Sequence, residues 1–580
     1  RSLSVFSACL FLTVLWGAEM ASIFRVDRNA QAQSANLDYK IELDLDYRAA
    51  TFKGREIVTV NNSTRHYLDN ISFFLYPNIG QTEEASYLTV NSVVIAGRDA
   101  RFELKANNSV LQVDLPSKLE PDDRIEIALE FTGRVPRLQR EETTLLAHFL
   151  HEANDAVSSE RQRQDARDIF FAAEQSMLLG YFFPMVAPPD AVAADRGLAF
   201  GVGGIVYSEP ADFEVSVNAD SYLTIIGSAP AVEETPVSIP DKTESTRRQQ
   251  VFRGSKLRGF ALALAENLRV QQKQAGTVRL RSYFEAGNEK LGQRVLDITA
   301  KALSVYSNAF GQYSFPSLSI IELPLPAGYS GIEFPGFIVL AQAYCIDFES
   351  PQSTRLPNLV REQADVITSA LDFTLAHCLA HQWWGSTVGS DPQRSPYLDE
   401  SLANFAAAYF YEATYGKEAG EDAINKHLRA TYQTYRSLGG VDTEMDKSAR
   451  DFRSAMQYAA IVQAKGAMMM IALRKQLGDE AFFKAIKGYY EEFSFKFATP
   501  RDWREALLSA SKNPAATKTL INRYTKEKRG DQDIGTPNIM LLTAGESKGK
   551  RIGRIAAKSS KAGKLGGFFS RIGRAAAKPF

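Results

Sequence analysis

Two histidines four residues apart, with a glutamate eighteen intervening residues further on, restrict this chain more than any other feature. They lie in Ala376-His377-Cys378-Leu379-Ala380-His381-Gln382-Trp383-Trp384-Gly385 and in Leu398-Asp399-Glu400. On a helix, positions i and i+4 are neighbours on one face, so His377 and His381 present both imidazoles to the same side. The run from Leu402 to Tyr411, rich in Ala, Leu, Phe and Tyr, reads as a second helix that carries Glu400 at its start. Two neutral imidazoles and one carboxylate converging from packed helices make the three-ligand set of a catalytic zinc, its fourth position open to water. The competing reading is two core histidines with their hydrogen bonds satisfied and an unrelated surface glutamate. The spacing to Glu400 decides for the metal set.

The same stretch resembles the gluzincin metallopeptidases of the membrane alanine aminopeptidase and leukotriene hydrolase family. Their signature is H-E-x-x-H, eighteen residues, then Glu, with Gln-Trp-aromatic-Gly after the second His. His377, His381, Gln382-Trp383-Trp384-Gly385 and the spacing to Glu400 match it; Cys378 stands where the family carries Glu. The resemblance implies Zn2+ as cofactor, His377, His381 and Glu400 as its ligands, and peptide or protein N-termini as partners. Further matches are looser. In Gly328-Tyr329-Ser330-Gly331-Ile332-Glu333-Phe334-Pro335-Gly336, Glu333 corresponds to the family glutamate that pairs with the substrate α-ammonium, while Ile332 and Phe334 depart from Met and Asn. Gln175, nine residues before Pro184, stands where the family places a second amine-binding residue. The family's oxyanion tyrosine precedes a Lys-Gly pair by two residues; with Lys465-Gly466 as anchor, Gln463 takes that place, and Tyr458 matches a second tyrosine of some members. Ordinary structural roles, a turn glutamate and a loop glutamine, compete for Glu333 and Gln175.

Single-zinc peptide hydrolysis needs a metal, a base, an oxyanion stabiliser and substrate placement. The implied site keeps the metal and the amine anchors and lacks the usual base and oxyanion donor. A general base is worth about 10²–10⁴-fold, and one oxyanion donor about 10²–10³-fold. A thiol beside zinc is expected to have a depressed pKa. Even so, the Cys378 side chain is shorter than Glu by two bonds, and a nucleophilic role needs a separate base; His427 is the nearest further His in sequence. Cys378 therefore reads as a small filler in place of the base.

Length and composition frame the rest. A chain of 580 residues exceeds one core. Its 45% hydrophobic and 23% charged residues are those of a globular protein, and its three cysteines cannot form a disulfide framework. From Tyr39 apolar residues alternate with polar ones (Tyr39, Ile41, Leu43, Leu45, Tyr47), and the pattern returns at Ile125–Phe131 and Phe213–Val217, the mark of half-buried strands. Near Asn288 the period becomes helical, through Leu291, Val295, Leu296, Ile298 and Leu303. The expected class is α+β and multidomain: an antiparallel β domain over 35–275, then a mostly helical, thermolysin-like metallopeptidase domain over 276–512. Two polar stretches, Arg134–Asp168 and Ala229–Gln250, are expected to be surface loops.

The ends differ in character. Within 1–24, Ser2 to Ala18 carries no charge, at the short limit of a membrane span; a membrane helix is expected, with a signal segment and a core helix as the alternatives. The chain opens at Arg1, so upstream sequence is also expected. From Lys548 on there are ten Lys or Arg and no acid, so the preceding residues carry a net −11 against −1 for the whole. The segment 526–580 is expected to be a basic disordered tail able to touch anionic lipid; nucleic acid is not an expected partner. The localisation expected is membrane-associated with the soluble part extracytoplasmic. The function expected is a zinc-binding aminopeptidase-type domain that recognises peptide N-termini with hydrolysis impaired or lost. Its alternatives are an active zinc aminopeptidase with an unconventional base and a membrane-associated, non-catalytic interaction module.

Overall fold

The computed structural model describes residues 36–157, 165–189, 201–237 and 246–538. The alternating apolar stretches form strands, as their period requires: Asn36–Asp46, Thr51–Asn61, Arg124–Arg134 and Ala211–Asp220 all bury every second residue. They belong to one eight-stranded sheet. Its order runs Ala231–Val237, Arg247–Leu257, Ala211–Asp220, Asn36–Asp46, Thr51–Asn61, Arg124–Arg134, Leu88–Ile95, Arg98–Asp99. All neighbours are antiparallel except Asn36–Asp46 with Ala211–Asp220, which run parallel with Tyr39 opposite Phe213. Two four-stranded sheets complete the β-rich half. The shared core is aromatic: the Tyr39 ring stacks on Phe213 at 4.8 Å, and Phe52 meets Phe131, Phe170 and Phe182 edge-on.

Both stretches expected to be surface loops contain regular structure. Leu145–Val157 is a helix, because most charges of 134–168 sit at its flanks while Leu145, Leu146 and Phe149 supply an apolar stripe. It is anchored by buried Asp155, whose Oδ2 accepts a hydrogen bond from Met456 N at 2.6 Å. The second stretch contributes the antiparallel pair Ala231–Val237 and Arg247–Leu257; high polarity here reflects an edge hairpin with charged outer faces.

A five-stranded mixed sheet follows, in the order Arg269–Ala275, Val278–Phe284, Ser317–Leu323, Phe337–Ala341, Gly331–Phe334. Its first strand lies before residue 276, inside the span assigned to the β domain. The helix Glu289–Phe310 covers this sheet with Leu291, Val295, Leu296, Ile298 and Leu303 all buried. The helices Ala364–Ala380, Tyr397–Tyr415, Lys465–Leu477, Asp479–Phe493 and Pro500–Ser509 build the helical half. The last begins as its sequence dictates, with Thr499 as cap in a capping box with Asp502 and Pro500 at the first turn.

The helical part continues beyond 512. Pro514–Lys526 is a helix packed on Lys465–Leu477, and a short turn of helix, Gly530–Asp533, follows it. The expected tail from 526 therefore does not begin there: Arg436 pairs with Asp531 at 2.7 Å, and the buried Lys465 ammonium donates to Asp442 at 3.0 Å and to the Glu527 carbonyl at 2.9 Å. The basic residues from Lys548 on and the apolar N-terminal run both lie outside the described residues. No helix among the described residues is long and apolar enough to cross a membrane.

Candidate metal centre and cleft

The helix Ala364–Ala380 ends at His381, and Tyr397–Tyr415 starts three residues before Glu400; the two pack directly. The i, i+4 spacing brings the Nε2 atoms of His377 and His381 to 3.2 Å. Glu400 Oε2 lies 3.8 Å from the first and 3.7 Å from the second. Ligand atoms held about 2.0–2.2 Å from a tetrahedral zinc stand about 3.4 Å apart, so this triangle fits such an ion with little movement. His381 Nδ1 lies 2.8 Å from the Trp384 carbonyl. Donation to that carbonyl fixes the tautomer that leaves Nε2 free for a metal. His377 Nδ1 is buried without a hydrogen-bond partner.

The carboxylate is held as well. Gln463 Nε2 donates to Glu400 Oε2 at 3.0 Å, and Tyr458 lies with its hydroxyl 3.3 Å from Oε1. The Glu400 amide donates to Asp399 Oδ1 at 2.8 Å. Electrostatics follow burial and proximity. Burial, then the neighbouring His381, pulls His377 down to about 4. Burial also works against a charged His381, but Glu333, Glu400 and Asp399 outweigh it and raise the ring to about 10. Asp399 is pushed up to about 7, chiefly by burial.

All these groups line one cleft of about 730 Å³ between the β-rich and helical halves, together with Glu333, Cys378, Tyr181, Arg258 and His151. Glu333 is on the wall, in the hairpin Gly331–Phe334/Phe337–Ala341. The hairpin is fastened to the histidine helix by Gln382: its Oε1 accepts from Gly336 N at 2.8 Å and its Nε2 donates to the Phe334 carbonyl at 3.0 Å. Gly336 has φ +68, and a Cβ there would come within 2.5 Å of the Ser228 carbonyl oxygen. Only glycine fits this turn. Burial raises the Glu333 carboxyl above its ordinary range, with the His381 charge opposing.

Cys378 is buried and faces the same cleft as the Glu333 carboxyl. Without a metal, burial first, then Glu333, pushes its pKa well above the ordinary thiol range. It is no member of the ligand cluster, which among the described residues is His377, His381 and Glu400.

Gln175 is not in the cleft. It is exposed at the turn between Phe170–Ala173 and Ser176–Gly180 and lines a separate cavity of about 270 Å³ with Glu174, Glu266 and Glu322. Spacing to Pro184 misplaces it because Ser176–Gly180 is an extended strand, whose rise of about 3.3 Å per residue carries the turn away from the site. Gln463 and Tyr458 are in the cleft, but face Glu400. Gln382, Asp399 and Arg258 went unassigned from sequence; for Gln382 the only local signal was its place directly after His381.

With the geometry in hand, known proteins supply a context. The family model described as "Peptidase family M1 domain" matches residues 294–524. Residues 294–524 are thus similar to the M1 peptidase domain. Aminopeptidase N of Lactococcus lactis subsp. lactis is 24% identical over 482 residues, covering 82% of this chain and 49% of that protein. Aminopeptidase 2, mitochondrial, of Saccharomyces cerevisiae is 26% identical over 293 residues, covering 50% of this chain and 28% of that protein. The chain thus spans half or less of the length of these relatives. An M1 zinc metallopeptidase from Deinococcus radiodurans has a similar fold, with a TM-score of 0.55 at 18% identity, covering 86% of this chain and 94% of that one. The order of a β-rich half followed by a helical half is shared with that fold.

Proposed function

We propose that this chain is a zinc-binding, aminopeptidase-type M1 domain that holds peptide N-termini and hydrolyses them poorly or not at all. The observation that carries this is the pairing of an assembled ligand triangle with Cys378 in the place of the base. When bound at His377, His381 and Glu400, zinc supplies a Lewis acid that acidifies water and polarises a carbonyl. The chain's own groups define the rest. Glu333 offers a carboxylate from the cleft wall, the partner that a buried substrate ammonium requires. The Cys378 side chain is shorter than Glu by two bonds, so it falls short of the water that a glutamate base at this position would hold. The Gln463 and Tyr458 polar groups are committed to Glu400, which leaves the expected oxyanion donors turned away from a substrate. Similarity to aminopeptidases, of whose length half or less is matched, supports the class of ligand.

Calorimetry on the zinc-loaded protein tests the reading with a tripeptide and its N-acetylated form. Binding of the free amine, its loss on acetylation, and its loss in Glu333→Gln are expected. Equal binding of both peptides would contradict recognition of the N-terminus. Turnover of aminoacyl fluorogenic substrates at ordinary aminopeptidase rates would favour the active alternative.

A further inference from the structure

Gln463 and Tyr458 occupy the places where a substrate-facing hydroxyl is expected, yet both polar groups are aimed at a metal ligand. We propose that they are positioning residues of the metal centre: together they grip the two oxygens of Glu400 and hold its carboxylate in the orientation that a metal needs. The inference rests on the metal reading of His377, His381 and Glu400.

The geometry assigns one oxygen to each partner. Oε2 is the oxygen that faces both imidazoles, at 3.8 and 3.7 Å, and it also accepts the Gln463 amide at 3.0 Å. A carboxylate oxygen has two lone-pair directions, so this hydrogen bond leaves one for a cation. Oε1 faces the Tyr458 hydroxyl at 3.3 Å. With that hydroxyl donating, Oε1 is drawn away from the ion, which favours one-oxygen ligation. Tyr458 is itself fixed: it is buried, its ring meets Phe452 edge-on, and Gly203 lies so close that a Cβ there would come within 2.4 Å of the ring.

Two residues five apart meet one carboxylate because the helix between them is not a regular α-helix. In an α-helix, positions i and i+5 lie about 140° apart around the axis, and only one of them can face Glu400. Ala459–Ala464 takes the wider π turn, with Lys465 N bonded to the Ala460 carbonyl. The i→i+5 bonding of such a turn brings positions five apart toward one face. Short π segments within helices commonly occur at functional sites, and here the extra residue places Gln463 on the same side as Tyr458.

The test removes each donor and reads the metal. Gln463→Met keeps the length of the side chain without its amide; Tyr458→Phe removes only the hydroxyl. Zinc affinity is measured by competition with a chromophoric chelator, and the visible band of the Co2+-substituted protein reports coordination geometry, which a merely structural role does not alter. Gln463→Met is expected to lose about 10–100-fold in zinc affinity, the usual cost of removing a partner that orients a ligand, and to change the Co2+ band; Tyr458→Phe is expected to show a smaller change of the same kind. The thermal midpoint of the metal-free protein is expected to stay as in the wild type. Wild-type zinc affinity and an unchanged Co2+ band in both variants overturn the inference while leaving the metal reading intact. A wild-type protein that binds no zinc overturns both. If Gln463→Met does not fold, Tyr458→Phe decides by the same two measurements.

Discussion

At the scale of single residues, the most informative side chain beyond the ligands is Gln382. It is 1% exposed and spends both ends of its amide on the backbone of the Glu333 hairpin, at Gly336 and Phe334. Replacing it with Leu leaves a buried N–H and a buried carbonyl without partners, at about 1–3 kcal/mol each. Gln382→Leu is therefore expected to lose about 2–6 kcal/mol of stability in a denaturant titration, and its amine binding is expected to weaken more than its zinc binding. Unchanged stability would show that the hairpin is held some other way. The metal triad was legible in the sequence because helical spacing is a rigid ruler: four residues make one turn, and His377 and His381 can only be neighbours. The roles of Gln463 and Tyr458 were not legible, since a π turn breaks that ruler. Gln175 misleads for a related reason: a count of residues says nothing about which way an extended strand carries them.

At the scale of elements, the last helical turns among the described residues act as a latch. Asp531 is held below its ordinary carboxyl range chiefly by its hydrogen bond to Arg436. The two groups bond in a bidentate pair, at 2.7 Å for both contacts. A depressed carboxyl contributes stability above its unfolded pKa of about 3.9, and the contribution is lost as pH falls through the folded value. Acidification from about pH 5 to pH 3 is thus expected to speed amide exchange in Gly530–Asp533 ahead of the core strands. In Asp531→Asn the same segment is expected to exchange faster at pH 6 and to change less on acidification. Exchange that is independent of pH in the wild type, after correction for intrinsic chemistry, would dismiss the latch. Elements with strong periodicity, such as Glu289–Phe310 and Asn36–Asp46, were readable from their buried stripe. The helix Leu145–Val157 and the pair Ala231–Val237 with Arg247–Leu257 were hidden by charge, because flanking acids and bases dominate a polarity count while the apolar minority does the packing.

At the scale of the molecule, the cleft exists because two halves meet along it. Arg258, from the β-rich half, donates to the Ser208 carbonyl at 2.9 Å and across to the Lys496 carbonyl at 2.7 Å, with its guanidinium over the Phe497 ring at 4.6 Å. The ligand helices and the Glu333 hairpin pack on each other through Gln382, and Arg258 and Tyr181 of the β-rich half line the same cleft. The order of β-rich and helical parts followed from the change of period along the chain; the depth of the helical part did not, because the turns that follow Lys526 are short and polar. In the proposed reading the metal site is assembled and Cys378 stands in the place of its base. The direct measurement is the aminopeptidase rate of Cys378→Glu beside the wild type, each with its zinc quantified. With one zinc per chain in both, restoring the carboxylate is expected to raise the rate by about 10²-fold or more, within the range a general base supplies. No gain in a zinc-loaded variant, or a wild-type rate already equal to it, would contradict the account.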